Sequence, residues 1–116
     1  MRFLCIYKPG KPEGTPPTQE EMAKMGKLIE EAMKAGWLLS TEGCLPSSLG
    51  ARVRLSGEKF TVTDGPFTEA KEIVGGFALM EAKSREEAIE LTKKFLKIAG
   101  DGECELHQIS GPGDNQ

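Results

Sequence analysis

Residues 2–8 read RFLCIYK and carry apolar side chains on both faces of an extended chain. Phe3 and Cys5 alternate with Leu4 and Ile6, so neither face is polar. A strand of this kind lies in the middle of a sheet that is covered on both sides. The opening strand therefore predicts a layered fold in which each face of the sheet has a covering layer.

Two helices are predicted by apolar residues at helical spacing and by signals at their ends. In each, a Thr or Ser hydroxyl accepts a hydrogen bond from a free backbone amide, and a Glu three positions later reaches back to form a capping box. A glycine then ends each helix. The two sets are Thr18, Glu21 and Gly36, and Ser84, Glu87 and Gly100.

Strands are predicted over residues 37–44, 73–81 and 103–110, and a hairpin over residues 51–62. Apolar and basic residues alternate in the hairpin, which predicts one dry face and one wet face. The order β-α-β-(hairpin)-β-α-β predicts an α+β fold. We expect a ferredoxin-like βαββαβ sheet with an inserted hairpin and with both helices on one face.

The predicted sheet leaves one apolar face without a helix. A second subunit packed sheet against sheet would cover it, so we expect a homodimer. We also expect a single domain over residues 1–110 and a loose C-terminal tail over residues 111–116.

Composition excludes several classes of function. A net charge of −3 gives no basic patch for nucleic acid or anionic membrane. The apolar run near residue 1 is shorter than a signal-peptide core of about 7 residues or a membrane helix of about 20. Cys5, Cys44 and Cys104 are odd in number and far apart, which indicates three reduced thiols that serve as small core residues rather than disulfides or a zinc site. We therefore expect a cytoplasmic protein without a cofactor.

The stretch VTDGPFTEAKE at residues 62–72, followed by Gly75-Gly76-Phe77, resembles the signature of the DGPF group within the YCII-related family. The resemblance extends over nearly the whole chain, from the opening strand to Glu105-Leu106-His107. It implies a ferredoxin-like subunit that pairs into a dimeric α+β barrel. This agrees with the two-faced strands described above.

The resemblance also implies two kinds of function. The founding type of the family is thought to use a His–Asp pair in a cleft, and one relative resembles a dehydrochlorinase acting on a chlorinated aromatic. In this chain residues 16–25, where that histidine would lie, contain none, and the single histidine is His107. Members of the DGPF group are often encoded beside extracytoplasmic-function sigma factors, which implies a regulatory role.

Two residues are candidates for acid/base catalysis. Asp64 follows a strand and precedes Gly65, where a carboxylate either forms an Asx-turn or acts as a general base. His107 is the one side chain whose ordinary pKa lies near neutrality, although a lone strand histidine is commonly structural. Glu105 on the same face would lie about 7 Å from it along the strand, a loose spacing for a direct bond that does not establish a catalytic dyad.

Three further residues are candidates for substrate binding. Glu69 and Lys71 belong to a charged cluster that is either a solvated loop or a polar lid in which Lys71 holds an anionic group. Glu42 interrupts an uncharged strand and faces either water or a cavity. Gly75-Gly76 precedes a strand, which favours a close backbone approach over a phosphate loop.

Two functions are therefore carried forward. In the first, a small molecule bound by these residues undergoes cofactor-independent elimination or isomerisation, with Asp64 as base, His107 as acid and no metal. In the second, the chain is a non-enzymatic binding or regulatory module that senses a metabolite or docks on a regulatory protein such as a sigma factor. Burial of Asp64 beside a cavity favours the first, and an apolar patch left exposed after dimerisation favours the second.

Overall fold

A computed structural model describes residues 1–69 and 73–111 and contains two helices and six strands in these ranges. In chain order they are β1 (Arg2–Pro9), α1 (Gln19–Ala35), β2 (Leu38–Gly43), β3 (Ala51–Ser56), β4 (Lys59–Asp64), β5 (Gly76–Glu81), α2 (Arg85–Ala99) and β6 (Gly102–Ile109), with a short 3-10 helix (Ser47–Leu49) before β3. An antiparallel sheet has the strand order β2-β5-β1-β6, and β3 pairs only with β4. This confirms the predicted α+β fold and its inserted hairpin.

The predicted capping signals are complete at α1 and incomplete at α2. Thr18 accepts from the amide of Glu21 at 3.1 Å, and the Glu21 carboxylate accepts from the amide of Thr18 at 3.3 Å. Ser84 likewise accepts from the amide of Glu87, but the Glu87 carboxylate accepts from the amide of Lys83 instead of Ser84. The prediction of a second capping box is therefore right for the bond to the Ser84 hydroxyl and wrong for the bond to the Glu87 carboxylate. We attribute the difference to the more extended backbone at Ser84, where φ is −155° against −72° at Thr18.

The core lies between the helices and one face of the sheet. Its sheet side is formed by alternate residues of β1, β5 and β2, among them Phe3, Cys5 and Met80. On the helix side, Ala32 and Ala88 are almost fully buried. Their small side chains allow the two helices to approach the sheet closely. Cys5 is buried as predicted, but Cys44 is exposed because it follows the last residue of β2, so the prediction of a core thiol is wrong there.

The opposite face of the sheet is covered by no helix of the described ranges, and we call it the open face. Leu4 and Ile6 belong to it because they alternate with the core residues of β1. The strand register places Leu79 beside Leu4, and Phe77 beside Ile6. These four apolar side chains form the centre of the open face, and Phe77 is 37% exposed.

The hairpin formed by β3 and β4 differs from the prediction of one dry face. The apolar face is exposed to solvent in the single chain, because its side chains are 59–68% exposed, namely those of Val53, Leu55, Phe60 and Val62. Arg52, expected on the wet face, is partly buried, with its guanidinium 4.5 Å from the centre of the Phe67 ring. The pattern identified the two faces correctly. It failed on burial because the hairpin extends from its base rather than lying over the sheet.

The C-terminal tail and the absence of a membrane helix were also predicted. Of the predicted tail at residues 111–116, only Gly111 belongs to the described residues, so the tail stays a prediction. Among the described helices, none has the length and apolarity needed to span a membrane.

Candidate functional site

A cavity of about 300 Å³ lies between the core face of the sheet and the two helices. Its wall is mainly apolar and includes Leu28, Trp37, Met80 and Leu91. A wider opening of about 730 Å³ adjoins it beside the loop that follows β1. Both spaces are bounded by the same six residues, Tyr7, Met25, Ile29, Gly43, Gly75 and Phe95. A mainly apolar cavity with few polar groups is the usual form of a small-molecule site.

The aromatic ring of Tyr7 is held on three sides where the two spaces meet. The Phe95 ring packs edge-on against it, with centroids 5.0 Å apart and planes at 83°. A Cβ atom at Gly75 would lie 3.0 Å from Cδ2 of Tyr7, and one at Gly102 would lie 3.0 Å from Cε1. The two glycines thus let the backbone pass close to the ring. At Gly76 a Cβ would lie 2.7 Å from the carbonyl oxygen of Glu42, which confirms the predicted close approach at Gly75-Gly76.

The Tyr7 phenol is the polar group best placed to contact a bound molecule. Within residues 1–69 and 73–111 its hydroxyl forms no hydrogen bond. Burial raises the pKa of Tyr7, and the neighbouring Cys104 and Glu21 raise it further. The phenol therefore keeps its proton at neutral pH and can donate a hydrogen bond.

Several other polar side chains of the inner cavity are already engaged. Thr41 donates to the carbonyl oxygen of Phe77 at 2.9 Å, and Thr92 donates to that of Ala88 at 2.8 Å. Cys5 shares a hydrogen bond with Cys104, which lowers the pKa of Cys5 and raises that of Cys104. In the described ranges this leaves two donors without a hydrogen bond, the Tyr7 hydroxyl and the Trp37 indole N–H, and of the two residues Tyr7 borders both spaces.

The sequence of this chain matches a known protein family. The family model of the YCII-related domain matches residues 1–105. The chain belongs to the YCII-related family. Uncharacterized protein R00369 of Rhizobium meliloti (strain 1021) is 31% identical over 72 residues, which span 62% of this chain and 58% of that protein.

A solved structure similar to this YCII-related chain is 5-chloro-2-hydroxyhydroquinone dehydrochlorinase (TftG) from Burkholderia phenoliruptrix AC1100, in complex with 2,5-dihydroxybenzoquinone. The match has a TM-score of 0.53 at 18% identity and covers 99% of this chain and 100% of that chain. At this identity the likeness shows a shared fold.

Two predicted site residues lie at the end of the hairpin and in the loop after it. Asp64 is exposed at the end of β4, opposite Ala51, and Glu69 is exposed in the loop beyond it. Neither lines either of the two spaces described above. Lys71 lies outside the described residues. The catalytic and binding roles of these residues stay predictions.

The turn after Asp64 is held by residues that sequence reasoning missed. The Glu13 carboxylate accepts from the amide and the hydroxyl of Ser47 at 2.6 and 2.7 Å, and the Ser47 hydroxyl accepts from the amide of Phe67 at 2.9 Å. A Cβ at Gly65 would lie only 1.7 Å from the carbonyl oxygen of Ser47, so this position requires glycine. In the described part of the chain the Asp64 carboxylate forms no hydrogen bond, so the expected Asx-turn is absent. No local signal pairs position 13 with position 47.

Glu42 and His107 both lie on the open face, on opposite edge strands. Glu42 of β2 stands opposite Phe77, and His107 of β6 stands opposite Leu4. Two strands separate them across the sheet, and His107 lies two residues further along it, which together correspond to about 16 Å. Glu42 also contributes to the wall of the inner cavity, whereas His107 contributes to neither space. The protomer therefore does not bring them together.

His107 has a carboxylate partner, contrary to the expectation from strand spacing. Its Nε2 lies 3.0 Å from Oε1 of Glu105, because the two side chains lean toward each other. Lys8 donates to the other oxygen of the same carboxylate. The hydrogen bonds from Lys8 and His107 lower the pKa of Glu105, and the bond to Glu105 raises the pKa of Lys8. In the described ranges no group of three His, Cys, Asp or Glu side chains is placed to hold a metal ion.

Proposed function

We propose that this YCII-related chain binds a small molecule in the cavity between sheet and helices, with the Tyr7 phenol as the hydrogen-bond donor that orients it. The unengaged, protonated phenol beside an apolar cavity carries the proposal. An apolar wall with a fixed donor such as the Tyr7 phenol suits a flat molecule that carries a carbonyl or hydroxyl oxygen. The DGPF stretch supports the finer assignment to that group of the family.

The chemistry proposed for this molecule is cofactor-independent acid/base catalysis, such as an elimination. Support comes from the structural neighbour, which is named as a dehydrochlorinase and holds a dihydroxybenzoquinone. Elimination needs a base that removes a proton and a donor that stabilises the developing negative charge. Tyr7 fits the donor. Among the predicted acids, Glu42 borders the cavity but lies on the open face, so Glu42, Asp64 and His107 are all candidates whose approach to a substrate needs a second subunit.

We further propose that the active form is a homodimer packed through the open face. Leu4, Ile6, Phe77 and Leu79 would then be buried, and His107 with Glu105 would lie in or beside the interface. Burial would strengthen the hydrogen bond between them, because electrostatic attraction grows as water is excluded.

The regulatory hypothesis remains the second candidate, and it rests on exposed apolar surface outside the sheet. For this second candidate we also propose a cytoplasmic location and a sigma factor as the partner. If a partner protein rather than a small molecule occupies the chain, removal of the Tyr7 hydroxyl will have no effect on its binding.

The experiment compares wild type, Tyr7→Phe and Asp64→Ala in a thermal-shift screen with 2,5-dihydroxybenzoquinone and a panel of hydroxylated aromatic acids. A ligand at about 100 times its Kd stabilises the protein by about 2.7 kcal/mol. Loss of one hydrogen bond of about 1 kcal/mol weakens binding about fivefold, so Tyr7→Phe should need a correspondingly higher ligand concentration.

Tyr7→Phe is well matched because it removes one oxygen and keeps the ring that packs on Phe95. Hits that persist equally in Tyr7→Phe and are lost in Asp64→Ala would move the site to the hairpin loop and refute the proposal. No hits at all would favour the regulatory candidate.

A further inference from the structure

The exposed apolar surface of this chain is concentrated on the inserted hairpin. Of the twelve large apolar residues that are most exposed in the described ranges, six lie between residues 45 and 62. Four of these belong to β3 and β4, which we call the arm (residues 51–64). Such a concentration marks an interaction surface, because soluble chains seldom leave large contiguous apolar patches in water.

The strand register shows that the four apolar residues share one face of the arm. Val53 stands opposite Val62, and Leu55 stands opposite Phe60. Directly opposed residues in an antiparallel pair point to the same side. The other face carries polar and basic residues, namely Arg52, Arg54, Lys59, Thr61 and Thr63. The arm is therefore amphipathic, with one side suited to burial and the other to water.

Within residues 1–69 and 73–111, the contacts that hold the arm lie near its base. The backbone amide of Gly65 donates to Gly50 at 3.1 Å, and the loop beyond is held through Ser47. The Cα radius of gyration is 16.0 Å, against about 13 Å for a compact domain of this length. A two-stranded hairpin without a packed face is marginally stable in water. An arm of this kind becomes stable when a second surface covers its apolar face.

We propose that the arm packs its apolar face on a second copy of this chain, beside the sheet-to-sheet contact; the inference rests on the homodimer proposed above. Leu4, Ile6, Phe77 and Leu79 of the open face lie in the sheet-to-sheet contact itself, so an arm packed beside them extends the same apolar interface. In a two-fold dimer each copy then gives one arm and receives one arm.

The area that a dimer could bury supports a second copy of the chain as the molecule that covers the arm. Four strands about six residues long cover roughly 19 Å by 20 Å, or about 380 Å². A stable interface of standard size buries about 800 Å² per partner. An arm of two strands adds about 200 Å² of its own, and the surface beneath the partner's arm adds the same again. These footprints are flat areas, which are smaller than the accessible surface they represent, but the arms raise the footprint from about 380 Å² to about 780 Å² and so roughly double the surface available to a stable dimer.

The test compares two double variants that keep strand-forming residues. Val53→Thr with Phe60→Thr changes the apolar face, and the control, Arg54→Thr with Lys59→Thr, changes the polar face of the same strands. The dimer dissociation constant is measured by sedimentation equilibrium. We expect the apolar-face variant to raise it about 100-fold and the control to change it less than threefold.

A second measurement uses the unmodified chain. Hydrogen exchange of the arm amides is followed at concentrations above and below the dissociation constant, and protection of residues 53–62 is expected only in the dimer. A dimer whose arm amides exchange freely, or whose dissociation constant is the same in both variants, would overturn the arm contact and leave the homodimer in place. A chain that is monomeric at all concentrations would overturn both.

Discussion

Replacement of Gly75 by alanine tests whether the Tyr7 ring is held as tightly as its contacts indicate. The new Cβ would lie 3.0 Å from Cδ2 of Tyr7 and 3.0 Å from Cδ of Pro9, which is closer than ordinary van der Waals contact. The ring cannot easily move away, because Phe95 packs against it and Gly102 leaves little space on another side. Crowding of this kind costs about 1–3 kcal/mol.

The matched control is Gly43→Ala, since the nearest atom to its Cβ is the Gly75 carbonyl oxygen at 4.0 Å. Both substitutions restrict the unfolded chain equally, so the difference between them reports the crowding alone. Thermal unfolding followed by circular dichroism should show Gly75→Ala melting about 4–12 °C below Gly43→Ala, at roughly 4 °C per kcal/mol for a chain of this size. Equal melting temperatures would refute the argument that the ring is clamped.

Three further perturbations give independent checks. Thr18→Ala should lose about 1 kcal/mol in urea unfolding, because it removes the hydroxyl that caps α1; an unchanged midpoint would show the cap to be dispensable. Gly26→Ala should gain about 0.5–1 kcal/mol in the same assay, since its Cβ meets nothing within 4 Å on the helix, and a loss would reveal crowding there. The folded-state pKa of Glu105 is lowered by Lys8 and His107, so its stabilisation is present above the unfolded pKa and is lost as the pH falls through the folded pKa. Glu105→Gln should therefore flatten stability against pH below the ordinary Glu range, and an unaltered acid limb would contradict the pairing.

The fold was largely predictable because its signals are local. Thr18, Gly36 and Gly100 mark helix ends through backbone geometry that neighbouring residues determine. The alternation in residues 2–8 identified a central strand with two apolar faces, and the register of β1 with β5 and β6 confirms it. Such patterns depend on the period of the element and need no knowledge of distant contacts.

The candidate site was predicted less well because it depends on contacts between distant segments. Tyr7 appeared only as one apolar position of a strand, yet Phe95 and two glycines from other segments hold its ring. The Glu13–Ser47 pair could not be inferred, since 34 positions separate the two residues. Strand spacing also failed for His107 and Glu105, because side chains on neighbouring positions of one face can lean together. The alternation of apolar and basic residues in the arm identified its apolar face, but alternation carries no information about whether that face is buried.

The most direct test of the account is the NMR signal of the single tyrosine, Tyr7, in a chain labelled with ¹³C at the tyrosine ring. If the Tyr7 phenol orients the ligand, a ligand found in the thermal-shift screen shifts this signal saturably, with the same Kd as the one obtained from thermal stabilisation. We also expect the phenol, without ligand, to titrate above its ordinary pKa. A ligand that stabilises the protein while the Tyr7 signal stays unmoved would contradict a site at this cavity.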